Sequence, residues 1–493
     1  MLNARAALIG LLLLFLFNMK LAVKNFWLAL LAVGFVTCKS GEPSATDDPQ
    51  PPVGQPNIIF LLADDLRFDG LGIAGNPVLN TPNLDGLATN GVYFSNAFVT
   101  TSICAVSRAS ILSGQYASRH GIWGFAKNFS ATQLAQTYPA LLRQAGYTTG
   151  FIGKYGVGTP DTNVVSLFDY WEGFAGQGTY NQTTASGRPI HLTKKIEGQA
   201  VEFLQQQAGS TQPFCLSVSF KAPHVEGDPG YFLPDAAYSN LYQGATIEEP
   251  LAAAKEYFNY FPDNFTQNNV ARNRWHNRFA TPEMFQESVK KYYRLIHGID
   301  VAVGAITETL RTTGQLKNTV IIFTSDNGFY LGEYGFAGKW YGSDASIRVP
   351  LLVYDGRSEA VRGVTAEQMV LNIDMAPTIL GLAGLEAPAA MQGQNIMPLA
   401  QNSSQQIRSE FFYEHQWQSS PAYYIPSTQG VVTQDYKYMR YFLNENYNQP
   451  LFEELYDRER DTHEVTNRMD DPDYTQARQV MLKKWEEMRE GVR

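Results

Sequence analysis

The feature that most constrains this chain is a pattern repeated four times: a short apolar run that stops on a residue able to do chemistry. NIIFLLA (57–63) stops on Asp64 and Asp65, and YTTGFIG (147–153) on Lys154. FCLSVSF (214–220) stops on Lys221 with His224 just beyond, and TVIIFTS (319–325) on Asp326 and Asn327. Such runs read as strands buried on both faces, as in parallel sheets. Amphipathic stretches separate them. The clearest places Val289, Tyr292, Tyr293, Ile296, Ile299, Val303, Ile306 and Leu310 at helical spacing, with Gly314 as a stop signal. The alternation predicts an α/β fold, a large mainly parallel sheet flanked by helices. From GVVTQDYKYMRYF onward the chain alternates like an antiparallel strand. That predicts a smaller C-terminal α+β subdomain on a short antiparallel sheet with a closing helix.

In open α/β sheets ligands bind outside the carboxyl ends of the strands. One such ending is the ordinary exit of a strand into solvent; four together predict a site. Asp64, Asp65, Asp326 and Asn327 offer oxygen ligands, which suit a hard cation such as Ca²⁺ or Mg²⁺. Without a counter-charge, three crowded carboxylates repel one another. Cys104 stands just before SRASILSG, which reads as a short helix ending at Gly114. Free N–H groups at a helix N-terminus favour a thiolate, or an anionic group in its place.

The chain has three cysteines. Cys215 sits in a strand-like run and is expected to pack as a small hydrophobe. Cys38 ends an apolar stretch, FWLALLAVGFVTC, preceded by Lys20 and Lys24. Residues 1–38 therefore read as a signal peptide, with Met19 as a candidate start and Cys38 as a lipid-acylation site. The expected location is outside the cytoplasm, in the periplasm or at the outer-membrane or cell surface, with membrane contact only through that anchor. Uncleaved anchoring or plain secretion stays open. Residues 39–56, rich in Pro, Ser and Asp, read as a flexible linker. Removing residues 1–38, with three basic and no acidic residues, takes the net charge from −9 to −12. That balance argues against a nucleic-acid partner.

The stretch CAVSRASILSG resembles the signature of type I sulfatases, members of the alkaline phosphatase-like superfamily in which this cysteine is oxidised to formylglycine. NIIFLLADD, GKYGVG, KAPH, SDNG, GKW…SIRVP and ELYDRERDTHEVTN resemble the family's other motifs, in the same order, across about residues 57–470. The resemblance implies a catalytic domain at 57–405, a C-terminal subdomain at 406–493 and a sulfuric ester hydrolase acting on sulfated carbohydrates. It implies a formylglycine-generating maturation enzyme as partner. It also implies that the hydrated aldehyde from Cys104 is the nucleophile and a metal ligand, while Asp64, Asp65, Asp326 and Asn327 hold one Ca²⁺. Arg108 would orient the hydrate, Lys154 and Lys339 bind sulfate oxygens, and His224 with Lys339 protonate the departing alcohol. Arg348 would support the lysine loop.

Two positions depart from the family pattern. Val106 replaces the usual proline two residues after the cysteine, and Gly156 stands where a histidine is usual. His191 or a water is a candidate for that histidine's role, while His120 follows the signature helix and His276 and His297 lie in helical or insertion sequence. Residues 257–283 interleave aromatics with Arg272, Arg274 and Arg278. They read equally as a substrate wall and as an insertion whose arginines snorkel. A phosphoester or phosphonate-ester hydrolase, and a catalytically impaired glycan-binding lipoprotein, are the rival readings.

Overall fold

The computed structural model describes residues 55–227, 230–357, 359–401, 405–417, 419–444 and 446–493. The expected signal peptide, Cys38 and nearly all of the linker lie outside the described residues.

Nine strands form the large sheet: β1 (Asn57–Asp64), β2 (Val92–Phe98), β3 (Thr148–Lys154), β4 (Tyr170–Phe174), β5 (Phe214–Pro223), β6 (Thr319–Ser325), β7 (Arg348–Asp355), β8 (Val364–Ala366) and β9 (Val370–Leu371). Their order is β8-β2-β7-β6-β1-β5-β3-β4, with β9 also on β2. Only the pairings of β7, with β2 and β6, are antiparallel. The four strands read from sequence are thus the adjacent centre of the sheet, β6-β1-β5-β3. Their pairing is in step, with Ala63 opposite Ser325 and Asp64 opposite Pro223. Every run therefore ends at one edge.

β1 shows why its sequence is apolar throughout. Ile58, Phe60 and Leu62 enter one core and Ile59, Leu61 and Ala63 the other. Each large side chain buried in this way contributes about 1.5–3 kcal/mol. On the first face lie α1 (Cys104–Ser113) and α4 (Met375–Leu382); on the second lie α2 (Leu192–Gln206) and α3 (Pro282–Thr312). All eight apolar positions anticipated for α3 are buried. Thr281 Oγ1 caps α3 by accepting from Met284 N at 3.3 Å, Pro282 starts it, and Gly314 turns away at φ +77°.

The small sheet is antiparallel: β10 (Glu410–His415), β11 (Ser427–Thr433), β12 (Tyr436–Phe442) and β13 (Pro450–Asp457). The stretch expected as one strand, GVVTQDYKYMRYF, is a hairpin turning at Gln434–Asp435, polar residues suited to a tight turn. The closing helix α5 (Thr475–Gly491) buries Met481 and Trp485. Among the described residues no helix is long and apolar enough to cross a membrane.

Candidate functional site

Adjacent residues in a strand point to opposite faces, so Asp64 and Asp65 need a local device to share a site. The β1–β5 register shifts between Leu62 and Asp64, and Asp65 takes the left-handed conformation at φ +68°. Aspartate tolerates that region better than most residues. Asp65 N donates to Asp326 Oδ1 at 3.2 Å, which ties the ends of β1 and β6 together.

Cys104 is the first residue of α1, one position further into the helix than expected, and Gly114 ends the helix at φ +65°. Its Sγ–H donates to Asp64 Oδ1 at 3.2 Å, and Lys339 Nζ donates to Sγ at 3.0 Å. The expectation of a favoured thiolate fails here. Burial, then the Asp64 charge, pushes the thiol up to about 12, against which the two lysines are insufficient. One turn along α1, Arg108 Nε donates to Asp326 Oδ2 at 2.8 Å and Nη1 to Lys154 O at 2.6 Å. Nη1 also donates to Ser219 Oγ.

Lys154 Nζ pairs with Asp64 Oδ2, and Lys339 Nζ with Asp65 Oδ1. His224 Nε2 lies 3.7 Å from Asp65 Oδ2, while its Nδ1 donates to Val225 O at 2.6 Å. The neutral ring therefore keeps its Nε2 lone pair toward the cluster. Asn327 Nδ2 donates to Asp65 Oδ1 at 2.6 Å. Three carboxylates thus meet three cations, all buried. Burial raises Asp64, but the charges of Lys154, Arg108 and Lys339 outweigh it and hold the carboxyl well below its usual range. Burial and then Asp64 push Asp326 up to about 7. Burial also drives His224 well below the ordinary imidazole value.

Although the charges balance, the hydrogen bonding does not. Asp65 Oδ2, Asn327 Oδ1 and Arg108 Nη2 are buried without a hydrogen-bond partner. Such groups are costly unless something completes them. The two oxygens suit a cation and the guanidinium N–H an anion. Ligand atoms of Asp64, Asp65, Cys104 and His224 all lie within 4.8 Å of one another. The donor set fits a hard divalent cation held mainly by oxygen.

Nine of the ten residues assigned by resemblance meet in this cluster. Arg348 stays outside it, donating to Ser95 O and pairing with Asp344 at 3.5 Å, just after the loop carrying Lys339. Two arginines of the anticipated wall are internal instead. Arg272 is buried and donates to Phe258 O and Tyr334 O, and Arg278 donates to Gly230 O. Of the three, only Arg274 is partly exposed, 5.1 Å from the centroid of the buried Trp340 ring and 3.2 Å from Tyr423 Oη. His191 is no substitute for the missing histidine. It caps α2, accepts from Thr193 N and stacks on Tyr180 at 4.9 Å. His120 is bound to Ser110 Oγ and Ile122 N. Cys215 is a buried core thiol, as expected.

Two participants were missed. Ser219 lies inside an apolar strand, and its role follows only from sheet register. Gln177 bonds to Lys154 Nζ at 2.6 Å. Its sole sequence signal is its place between two glycines.

The family model described as Sulfatase matches residues 56–385, and one described as N-sulphoglucosamine sulphohydrolase, C-terminal, matches 332–491. An N-acetylglucosamine-6-O-sulfatase of Bacteroides thetaiotaomicron is 25% identical, over 95% of this chain and 91% of its own. A solved structure described as a complex with its substrate D-glucosamine-2-N,6-O-disulfate superposes with TM-score 0.73 and 24% identity, covering 89% of this chain and 98% of its own. A phosphonate monoester hydrolase from Silicibacter pomeroyi superposes with TM-score 0.72 and 21% identity, covering 88% and 96%.

Proposed function

The chain belongs to the sulfatase family and is a sulfuric ester hydrolase, and from that premise we propose that it removes sulfate from sulfated sugars through Cys104 oxidised to formylglycine. The observation that carries this reading is the convergence on Sγ, with Asp64 at 3.2 Å and Lys339 at 3.0 Å beside three orphaned polar atoms. In our assignment Asp64, Asp65, Asp326, Asn327 and the modified residue 104 would hold one Ca²⁺, whose chemistry would be to make an oxygen nucleophile easier to ionise. Arg108 keeps residue 104 oriented through its bond to Asp326. Lys154 and Lys339 neutralise the sulfuryl oxygens as charge builds on them. The departing alcohol takes its proton from Lys339 Nζ, and His224 shares that role once its Nε2 has taken up a proton, because Nδ1 is committed to Val225 O and the neutral ring carries only a lone pair at Nε2.

Charge supports sulfate over a phosphate monoester. With the three carboxylates ionised and His224 neutral the side chains sum to zero, so a divalent cation adds two positive charges. One ionised nucleophile and one monoanionic ester cancel these, whereas a dianionic phosphate leaves an excess. A phosphonate monoester is also a monoanion, and the likeness to a phosphonate monoester hydrolase keeps that substrate as the second reading.

The carbohydrate reading draws on the glucosamine sulfates named for the relatives and on the partly exposed Arg274, which lies between exposed Tyr423 and the buried Trp340 next to Lys339 in the chain. A guanidinium beside an exposed tyrosine suits a sugar with further acidic groups. A 6-O-sulfated glucosamine is the first substrate to test. We further assign the catalytic domain to 57–405, the C-terminal subdomain to 406–493, and export with lipid anchoring at Cys38. Sulfate release from sulfated mono- and oligosaccharides, against matched phosphate and phosphonate esters, tests the activity. Turnover confined to aryl sulfates or phosphonates would overturn the sugar assignment. Mass spectrometry of the peptide holding residue 104 tests the modification.

A further inference from the structure

Position 156 is closed to a side chain. Gly156 adopts φ +77°, and a Cβ there would stand 2.6 Å from Arg108 Cδ. A histidine at this site would displace the guanidinium that holds Asp326 and Lys154 O. The space above Lys154 is served from another element. β4 pairs with β3 so that Phe174 lies opposite Lys154, and the chain then turns through Gly176 (φ +67°) and Gly178 (φ +63°). Left-handed glycines on both sides let the tip double back over the strand end. Gln177 sits between them. It is exposed, yet its Oε1 lies 2.6 Å from Nζ of the fully buried Lys154. The other side chains bonded to Lys154, Lys339 and Arg108 are themselves buried.

Resting on the sulfatase reading above, we propose that Gln177 is a substrate-positioning residue that reads a sulfuryl oxygen in place of a side chain at 156. An ammonium has three N–H groups. Asp64 takes one and Gln177 another, so the third is aimed by these two anchors at the incoming anion. A carboxamide carries oxygen and nitrogen on one carbon, so holding Lys154 through Oε1 turns the Nε2 donors of this exposed residue away from the lysine. A glutamine donates without accepting a proton. It therefore orients the ester and leaves acid–base work to other groups. Being neutral, it also adds no charge that would favour a dianion.

The test compares wild type with Gln177→Ala, Gln177→Asn and Gln177→Glu, using a sulfated sugar for turnover and inorganic sulfate as competitive inhibitor and calorimetric ligand. Loss of a hydrogen bond to a charged group predicts that Gln177→Ala lowers kcat/KM and weakens sulfate binding by about tenfold or more. Gln177→Glu, which places a carboxylate against the sulfuryl oxygens, should lose more. Gln177→Asn should recover part of both. The melting temperature and formylglycine content should stay at wild-type values, which a merely structural loop residue would not combine with a changed sulfate constant. Wild-type sulfate binding and kcat/KM in Gln177→Ala would overturn this inference and leave the sulfatase reading standing. A fully modified wild type that neither hydrolyses sulfate esters nor binds sulfate would bring down both.

Discussion

Two buried ionic clusters in this protein have similar ingredients and opposite outcomes. In the lysine-loop support, fully buried Lys437 of β12 pairs with Asp344 and Glu464, and Asp344 N donates to Glu464 Oε2 at 2.8 Å. None of those three side chains retains a buried polar atom without a partner. At the strand ends three carboxylates face three cations, but Asp65 Oδ2, Asn327 Oδ1 and Arg108 Nη2 stay unsatisfied. The difference separates structure from function. A cluster built for stability closes on itself, whereas one built for binding is left incomplete at the points its ligands will occupy.

The largest test of that distinction is Cys104→Ala. It should abolish sulfate release, by at least about 10⁴-fold, because the nucleophile is lost. Its melting curve should match wild type, which calorimetry checks. A residual rate near wild type would remove Cys104 from the reaction.

Lys437→Met should do the reverse. It strands two buried carboxyl groups, so urea denaturation should show a loss of about 3–5 kcal/mol. Below its melting transition the variant should keep its KM for the sulfated sugar. A large KM change would show that the two clusters are coupled.

Stripping calcium with a chelator should destabilise only the open cluster. Ligand at 100 times its Kd contributes about 2.7 kcal/mol. Thermal melts with and without added Ca²⁺ should show that increment in wild type and also in Lys437→Met. Its absence from wild type would argue against a bound cation.

The smallest effect concerns Glu454, beside the closed cluster and hydrogen-bonded by Tyr441 Oη and Tyr456 Oη. Burial pushes its carboxyl from 4.5 up to about 7. The folded chain keeps a proton that the unfolded chain has released, so stability should fall as pH rises from about 4.5 to about 7 and level off above. Glu454→Gln should flatten that fall by roughly 1–3 kcal/mol, read from denaturation midpoints across the window. An unchanged slope would assign it to another group.

The sequence by itself determined the central sheet and its reactive edge. An uninterrupted apolar run has only one economical burial, between two layers, and its first polar residues must then emerge at the strand end. Asp64, Asp65, Lys154, His224, Asp326 and Asn327 were legible for that reason, and Cys104, Arg108 and Lys339 through the motifs around them. Tertiary structure alone decided the rest. The Cys104 thiol is held neutral because burial and Asp64 outweigh Lys154 and Lys339. Arg272 and Arg278 turned inward because backbone carbonyls were waiting for them. Gln177 reached Lys154 across 23 residues through the β3–β4 register and two left-handed glycines. Local pattern records which residues a strand delivers to an edge. Which groups then touch depends on register, burial and long-range charge, and these exist only once the chain has closed.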